Sequence, residues 1–398
     1  MVTKILYPIL ASLLFSAFIY FEHFGLSHWA ISVGFGVLAI YMMLGFDKKQ
    51  MFIFGFSASL LWFYWIGFSF RYYDALFMAF PSLLFLAVVF GLLFFLIGYL
   101  KNPFLRILPF IFFDYIAPFG FDWMKFELLF VDTPLGVSKF HLASLLVGIA
   151  FFRLKSRFRF MGLLFLILSV QFSADRYTMP ESKIYISSSH IPQEQRWDKE
   201  LYHKFVQRNL SIIQRAIDEE YDLVLFPESA FPTALNLQQD LIKILDELSK
   251  EITIVAGALY FSGDIFYNSA YIFQDGEHEV AKKSVLVPFG ESVPLPAPLD
   301  RWVNELFFGG ASDFVKAEYP TDFRLEGDEF RVAICYEATH RSIYKDAPPY
   351  ILALSNNAWF TPSIEPTLQR LLLKLYARKY DRVIFHSTNI SGAYTVKP

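Results

Sequence analysis

Four side chains that together supply one kind of chemistry stand beside short apolar runs of the sequence. Glu228 follows Leu-Val-Leu-Phe-Pro, Cys335 follows Val-Ala-Ile, and Lys283 and Glu291 flank Ser-Val-Leu-Val-Pro-Phe-Gly. A thiol needs a base to become a thiolate nucleophile, and a glutamate whose pKa burial raises can be that base. A lysine can stabilise an oxyanion, and Glu291 can hold that lysine or relay a proton. The set predicts acyl transfer through a thioester.

Each of these residues has a simpler reading when it is taken alone. A lone cysteine after an apolar tripeptide is usually a small core residue, and a glutamate after proline is usually a solvated cap. Lys283 stands next to Lys282, which is typical of a surface pair. His340, five residues after Cys335, is an alternative base, but a glutamate and a lysine are already available. Only the combination favours a reactive site.

The elements that must position these residues form an alternating pattern in the second part of the chain. Apolar and β-branched runs predict strands, and apolar residues at helical spacing predict helices. The strands are predicted at 183–188, 223–226, 252–256, 267–273, 280–287, 331–335, 350–354 and 383–386, and the helices at 201–219, 241–248 and 367–380. This order indicates an α/β domain with stacked layers, in which sites lie at the carboxyl ends of strands.

The composition divides the 398-residue chain after residue 173. Residues 1–173 hold 12 basic and 7 acidic residues, a net charge of +5, whereas residues 174–398 hold the other 23 basic and 31 acidic residues, a net charge of −8. The low charge density of the first part predicts a polytopic membrane domain, and the second part is large enough for its own core. We therefore expect domains at 1–173 and 174–398.

Seven apolar runs predict about seven membrane helices in the first part, with six to eight as the acceptable range. They are 5–21, 28–46, 51–70, 76–100, 104–118, 140–152 and 160–173, of which the second, third and fourth are the most convincing. With seven spans, nine Lys and Arg fall on one side and three on the other. The positive-inside rule then puts the second domain outside the cytoplasm.

Asp114 lies inside the fifth apolar run, where a carboxylate is a functional candidate by default. The simpler interpretation is that the run ends there, close to Pro118, and leaves Asp114 at a wet interface. The segment 301–314, with Trp302, Phe307 and Phe308, is either a lid that dips into the membrane interface or part of the core.

Several classes of protein are excluded. One cysteine allows no disulfide framework, and the hydrophobic content of 55% excludes disorder. The second domain is acidic and the chain has no long basic block, which argues against nucleic-acid binding. The eight histidines show no paired metal-ligand spacing, so we expect no metal and no cofactor.

Four motifs carry a resemblance to a known family. They are Pro-Glu-Ser-Ala at 227–230, Lys-Ser-Val-Leu-Val-Pro-Phe-Gly-Glu-Ser-Val-Pro at 283–294, Ala-Ile-Cys-Tyr-Glu at 333–337 and Ser-Asn-Asn-Ala-Trp-Phe at 355–360. With Ile-Pro-Gln at 191–193, Trp197, Tyr-Asn at 267–268 and Ser-Thr-Asn at 387–389, they resemble the nitrilase superfamily and, more closely, the apolipoprotein N-acyltransferase family. The resemblance covers residues 182–394 and the multi-span first part.

The resemblance implies a Glu-Lys-Cys triad at Glu228, Lys283 and Cys335. It implies supporting roles for a further set of side chains, which comprises Glu291, Tyr336, Glu337, Trp197, Asn268 and Trp359. The implied fold is a four-layer αββα sandwich on the periplasmic side of a bacterial inner membrane.

The implied reaction moves an acyl chain from a phospholipid to Cys335 and then to the α-amine of an N-terminal diacylglyceryl-cysteine of an apolipoprotein. The partners would be the phospholipid donor, the apolipoprotein acceptor and the bilayer, with the enzyme a monomer.

Two rival functions remain open from the sequence. A membrane-tethered amidase would use the same triad and let water resolve the thioester, although seven spans are excessive for a tether. A transporter or scaffold with an inactive globular domain would be expected to lack a triad member, and none is lacking.

The sequence departs from the family pattern in three places: Asn357 replaces the usual Asp, Thr361-Pro362 replaces Gly, and His386 replaces Arg. The resemblance also implies further strands and a final span after Asn389. We therefore expect an unpaired sheet edge near the end of the printed sequence.

Overall fold

The computed structural model describes residues 2–172, 177–292 and 314–398. The chain forms two compact units. The first consists of Met1–Asp175 and Pro362–Leu375, and the second of Arg176–Thr361 and Tyr376–Pro398. The segment 362–375, which comes from the second part of the sequence, clusters with the first unit.

Apolar helices dominate the first unit, and each of the seven predicted runs overlaps one of them. Their bounds are Val2–His23, Trp29–Met43, Lys48–Phe63, Ala79–Ile97, Pro103–Ile111, Lys139–Phe152 and Met161–Leu168. Within the described ranges, Thr3–His23 and Leu76–Ile97 are long and apolar enough to cross a membrane. The bent pair Lys48–Phe63 and Ile66–Tyr72 would make a third span. The other helices are shorter than the 20 or so residues that a span requires.

The ends of these helices are satisfied by local polar groups. Asp47 caps the helix Lys48–Phe63 by accepting hydrogen bonds from the backbone N–H groups of Lys49 and Gln50, at 2.8 and 3.0 Å. Arg106 is buried and donates to the carbonyl oxygens of Met43, Leu44, Gly98 and Leu100, which follow or end two other helices. Carbonyl groups at a helix end have no hydrogen-bond donor within their own helix, and an apolar environment offers none. The Arg106 guanidinium is the donor for these carbonyl groups.

Asp114 belongs to a buried ion cluster. The Nζ atom of Lys139 lies 2.5 Å from Asp114 Oδ1 and 2.6 Å from Glu127 Oε1. The helix before Asp114 ends at Ile111, so the fifth apolar run is helical only over its first part. Asp114 is therefore paired in this unit rather than solvated at a helix end.

The segment 362–375 is held in the first unit by polar contacts. Lys374 Nζ lies 2.9 Å from both carboxylate oxygens of Asp132 and 3.3 Å from Glu22, which also binds Arg370. The hydroxyl of Tyr64 accepts a hydrogen bond from the backbone N–H of Ile364 at 3.3 Å. Sequence composition assigns residues 362–375 to the second part of the chain, but these polar contacts join them to residues of the first part.

Two mixed sheets form the second unit. The first has the order β1-β2-β4-β5-β6, with β3 paired to β4, and the second has the order β11-β10-β9-β8-β7. The strands are β1 Ile184–Ile186, β2 Leu223–Leu225, β3 Phe231–Ala234, β4 Thr253–Ser262, β5 Ile265–Gln274, β6 Glu277–Lys282, β7 Asp322–Leu325, β8 Asp328–Ile334, β9 Tyr350–Asn356, β10 Val383–Asn389 and β11 Tyr394–Val396. All the predicted strands occur, and β3, β7 and β11 were not predicted.

Alternating side chains of the strands build two apolar layers. Leu225 and Val255 of the first sheet pack with Val332 and Leu352 of the second to form the layer between the sheets. On the other face of the first sheet, the helices Tyr202–Asp218 and Gln239–Leu248 cover a second cluster. The helix Glu365–Tyr380 is the crossover between the parallel strands β9 and β10.

One expectation about strand ends needs correction. The prediction of a strand over 280–287 was wrong beyond Lys282, because the N–H groups of Ser284 and Val285 donate to the Glu337 carboxylate. Near the end of the sequence β11 pairs with β10 in antiparallel register, so β11 is the edge strand of the second sheet among the described residues. The buried ring of His386 on β10 contacts Tyr394 of β11, with 2.7 Å between Nδ1 and the hydroxyl.

Candidate active site

The candidate residues lie where strands of both sheets end. Glu228 follows β2, Lys283 follows β6, Cys335 follows β8 and Asn356 ends β9. Cys335 has a φ of 56°, in the left-handed region that non-glycine residues rarely adopt. Such strain at the end of a strand is typical of functional positions, where a side chain is held out from the sheet. The Cys335 side chain is partly exposed.

Glu228 is buried and its two carboxylate oxygens have different partners. Oε1 accepts a hydrogen bond from Asn268 Nδ2 at 2.8 Å, and Oε2 accepts one from the backbone N–H of Asn356 at 3.0 Å. The loop that carries it is held by Arg196, which donates to the carbonyl oxygens of Glu228 and Ser229 at 3.1 and 2.7 Å. Glu228 is therefore fixed by groups from three separate segments.

Lys283 is almost fully buried and lies 2.7 Å from Glu291 Oε2. Burial by itself would lower the pKa of Lys283, but Glu291, Glu228 and Cys335 lie close enough to raise it above its ordinary value. The ammonium therefore stays charged at any physiological pH, as an electrostatic role toward an oxyanion requires.

One amide joins the two carboxylates of this site. Asn268 Nδ2 donates to Glu228 at 2.8 Å and to Glu291 Oε1 at 2.7 Å. Glu291 also accepts from Lys283 Nζ and from the backbone N–H of Val287. We call Glu228, Asn268, Lys283 and Glu291 the active-site cluster. In it, one cation and one amide separate two like charges that would otherwise repel each other.

Glu337 ties the lysine loop to the cysteine loop. Its Oε1 accepts from the N–H and hydroxyl of Ser284, at 2.7 and 2.6 Å, and its Oε2 accepts from the N–H of Ile334 at 2.8 Å. Burial raises the pKa of Glu337, and these donors, with the charge of Lys283, offset part of that effect. Ser284, directly after Lys283, and Ile334, directly before Cys335, are thus hydrogen-bonded to the same carboxylate.

The remaining predicted residues stand beside these loops. Tyr336 is buried directly after Cys335, and Trp359 ends the short 3-10 turn Asn357–Trp359 that follows β9. Trp197 is 47% exposed next to Arg196. The alternative base His340 caps the turn Arg341–Tyr344, with its Nδ1 2.7 Å from Ser342 Oγ. The segment 301–314 lies outside the described residues except for Phe314.

A chain of amides that sequence reasoning left without a role connects the ends of the two sheets. Asn389 Nδ2 donates to Asn356 Oδ1 at 2.9 Å, and Asn356 Nδ2 donates to Gln193 Oε1 at 2.8 Å. Asn389 Oδ1 also accepts from Ser189 Oγ at 2.8 Å. These asparagines end buried strands, which is the signal that could have singled them out. Their network positions the Asn356 N–H that binds Glu228.

The arrangement defines a class of protein, and sequence comparison agrees. The family model described as carbon-nitrogen hydrolase matches residues 189–380. The model described as apolipoprotein N-acyltransferase integral membrane domain matches residues 2–172. The chain is thus a helical membrane domain followed by a nitrilase-like domain with two mixed sheets, and the fold class expected from the sequence is confirmed.

Relatives narrow the class to a family. An apolipoprotein N-acyltransferase of Wolinella succinogenes is 41% identical over 390 residues, which cover 97% of this chain and 94% of the relative. One from Helicobacter pylori is 37% identical, over 91% of this chain and 87% of the relative. A solved amidase from Nesterenkonia sp. aligns at 15% identity and a TM-score of 0.41, over 56% of this chain and 86% of that one. The chain belongs to the apolipoprotein N-acyltransferase family, whose members are membrane acyltransferases.

Proposed function

We propose that this protein transfers an acyl chain from a membrane phospholipid, through a thioester on Cys335, to the α-amine of an N-terminal diacylglyceryl-cysteine of apolipoproteins. The observation that carries the proposal is the active-site cluster beside Cys335, in a chain 41% identical over 97% of its length to an apolipoprotein N-acyltransferase. In the proposal, Glu228, Lys283 and Cys335 touch the reacting atoms. Glu291, Glu337 and Asn268 position them, and Tyr336, Trp197 and Trp359 support the substrates.

The first half-reaction forms the thioester. Glu228 accepts the proton of the Cys335 thiol, and the thiolate attacks the ester carbonyl of the phospholipid. The tetrahedral oxyanion is stabilised by the Lys283 ammonium. The bond between the carbonyl carbon and the glycerol oxygen then breaks, and Glu228 returns its proton to that oxygen. A lysophospholipid leaves, and the acyl chain stays on sulfur.

The second half-reaction consumes the thioester. The neutral α-amine of the acceptor attacks the thioester carbonyl, and Glu228 takes the proton that the nitrogen loses. The carbon–sulfur bond breaks, an amide forms, and the sulfur regains a proton from Glu228. Both substrates are lipids, so a site attached to a membrane domain receives them without full extraction of their chains into water.

The topology belongs to the same proposal. The excess of Lys and Arg on one side of the predicted spans favours a catalytic domain on the periplasmic side of a bacterial inner membrane. We also propose that the protein acts as a monomer, because one chain contains every residue that the reaction needs. Light scattering of the detergent-purified protein would test that point.

The deciding experiment is mass spectrometry of the intact protein in phospholipid vesicles, with Cys335→Ala as the matched control. We expect the wild type to gain the mass of one fatty acyl chain and the variant to gain none. Addition of a diacylglyceryl peptide with a free N-terminus should discharge the adduct and yield the N-acylated peptide. The same peptide with an acetylated N-terminus should leave the adduct in place.

Two other results would overturn the proposal. An adduct that only water discharges would make the protein a hydrolase of the amidase type. A well-folded wild type that forms no adduct would mean that the cluster does not carry out the first step.

A further inference from the structure

The hairpin formed by β4 and β5 continues past the active-site cluster. In its antiparallel register Gly257 faces Ala270, Leu259 faces Asn268, and Phe261 faces Phe266. Residues two apart on a strand share a face, so these three pairs form successive rungs on one side of the sheet. Ala270 packs in the layer between the sheets, and Asn268 binds both carboxylates of the cluster. The rung of Phe261 and Phe266 is therefore the next one outward from the cluster, about 7 Å along the strand.

The outer rung is aromatic, ordered and partly exposed. The rings of Phe261 and Phe266 are 4.8 Å apart between centroids, and Phe266 is 43% exposed. The side chain of Asn236 binds the backbone of Phe261 twice, by donating to its carbonyl at 2.8 Å and by accepting from its N–H at 3.0 Å. The hairpin end is thus fixed in place, although its apolar surface faces outward.

The opposite face of the same hairpin has a different character. Tyr260 and Tyr267 form the pair between the Leu259 and Phe261 rungs, and Lys282 Nζ lies 4.6 and 4.2 Å from their ring centroids. The aromatic rings on that face are covered by a cation, whereas no cation of the described residues lies over Phe261 or Phe266 on the cluster face. The two faces therefore offer a matched comparison.

We propose that Leu259, Phe261 and Phe266 form the surface against which the fatty acyl chain of the lipid substrate lies while its carbonyl carbon is at Cys335. The inference rests on the proposed function. When the carbonyl carbon of the substrate lies at the active-site cluster, the rest of its acyl chain must extend away from the cluster over an apolar surface. The side chains of Leu259, Phe261 and Phe266 form such a surface, and it begins next to Asn268 of the cluster. The ligand class is a long saturated or unsaturated hydrocarbon chain, and its recognition requires no hydrogen bond.

The test compares two activated esters, p-nitrophenyl butyrate and p-nitrophenyl palmitate, in the same detergent micelles. Attack of the Cys335 thiolate on either ester expels p-nitrophenolate and leaves a thioester, which intact-protein mass spectrometry detects. For Phe261→Ala/Phe266→Ala we expect palmitate acylation to fall about tenfold or more, which corresponds to a few methylene groups that lose an apolar contact. Butyrate acylation should stay within about twofold, because a short chain does not reach the outer rung.

The control is Tyr267→Ala, which removes an aromatic ring from the other face and should leave the ratio of the two rates unchanged. If the double variant also loses butyrate acylation, the same two rates are measured for the single variant Phe266→Ser. This substitution removes only one partly exposed ring. An unchanged palmitate-to-butyrate ratio in the tested variant, or an equal change in Tyr267→Ala, would overturn the inference. Absence of any adduct on the wild type in phospholipid vesicles would instead refute the proposed function.

Discussion

The substitution Asn268→Ala tests the electrostatic organisation of the active-site cluster most directly. It removes two hydrogen bonds to carboxylates, of 2.8 Å to Glu228 and 2.7 Å to Glu291, without removing either charge. A hydrogen bond to a charged group contributes about 1.5 to 3 kcal/mol, and a tenfold change in rate corresponds to about 1.4 kcal/mol. Loss of these bonds removes the amide that orients the Glu228 carboxylate, so the rate of Cys335 acylation should fall by about ten- to a hundredfold.

Two features of the site place the expected loss of rate near the lower end of that range. The Asn356 N–H still binds Glu228 Oε2 in the variant. The ammonium of Lys283 also stays charged, because the neighbouring carboxylates keep its pKa high. We therefore expect the acylation rate to fall by about tenfold.

The assay is the rate of Cys335 acylation, followed by intact-protein mass spectrometry. Glu228 accepts the thiol proton in the proposed reaction, so a carboxylate that is less well oriented slows this step. In Asn268→Ala the acylation rate should therefore fall by about tenfold. Asn236→Ala is the control, because this asparagine binds the backbone of Phe261 on the same hairpin and no carboxylate of the cluster.

One result would refute the reasoning. If Asn268→Ala retained the wild-type acylation rate, then the amide would not orient Glu228 for the proton transfer. An equal loss of rate in Asn236→Ala would point to a general loosening of the hairpin rather than to the lost hydrogen bonds.

Three further predictions concern single residues. In Gly257→Ala the new Cβ would lie 2.7 Å from the Cα of Glu228, so the loop must move, and the acylation rate should fall about tenfold or more. In Glu337→Gln an amide N–H₂ would face the N–H donors of Ser284 or Ile334 and could not accept their hydrogen bonds. The acylation rate should therefore fall further than in Ser284→Ala, measured in the same assay. Burial lowers the pKa of His386 to about 3, so its stabilisation is complete above the unfolded pKa near 6.5 and declines as pH falls. At pH 5 the loss is about 2 kcal/mol, and thermal unfolding should show a smaller decrease from pH 7 to 5 in His386→Asn.

The sequence predicts the strands that carry chemistry better than it predicts the helices that enter the membrane. Strand ends such as those before Glu228 and Cys335 are marked by short apolar runs with an abrupt polar residue, and these runs are strands in the structure. Hydropathy, in contrast, does not distinguish a helix from irregular apolar backbone. The hydropathy of the fifth run predicts one span, but its helix ends at Ile111 and two 3-10 turns follow.

The sequence predicts the candidate residues better than it predicts their hydrogen-bond partners. The sequence motifs indicate Asn268 and Glu291. That the Asn268 amide donates to both Glu228 and Glu291 depends on the strands with which β5 pairs and on the path of the loop after Lys283. Such distances arise only when the backbone has folded. The same holds for Asn356, whose backbone N–H binds Glu228 and whose side chain belongs to the amide chain.

The amide chain explains why the site needs both sheets. Glu228 and Lys283 come from the first sheet and Cys335 from the second, so a small slide of one sheet over the other would separate the proposed base from the proposed nucleophile. Apolar packing between sheets is not directional, and it resists such a slide only through the fit of the side chains. Hydrogen bonds are directional, and those of Asn356 and Glu337 cross from the ends of the second sheet to loops of the first. The polar links at the strand ends therefore set the register on which the chemistry depends, while the core supplies the stability.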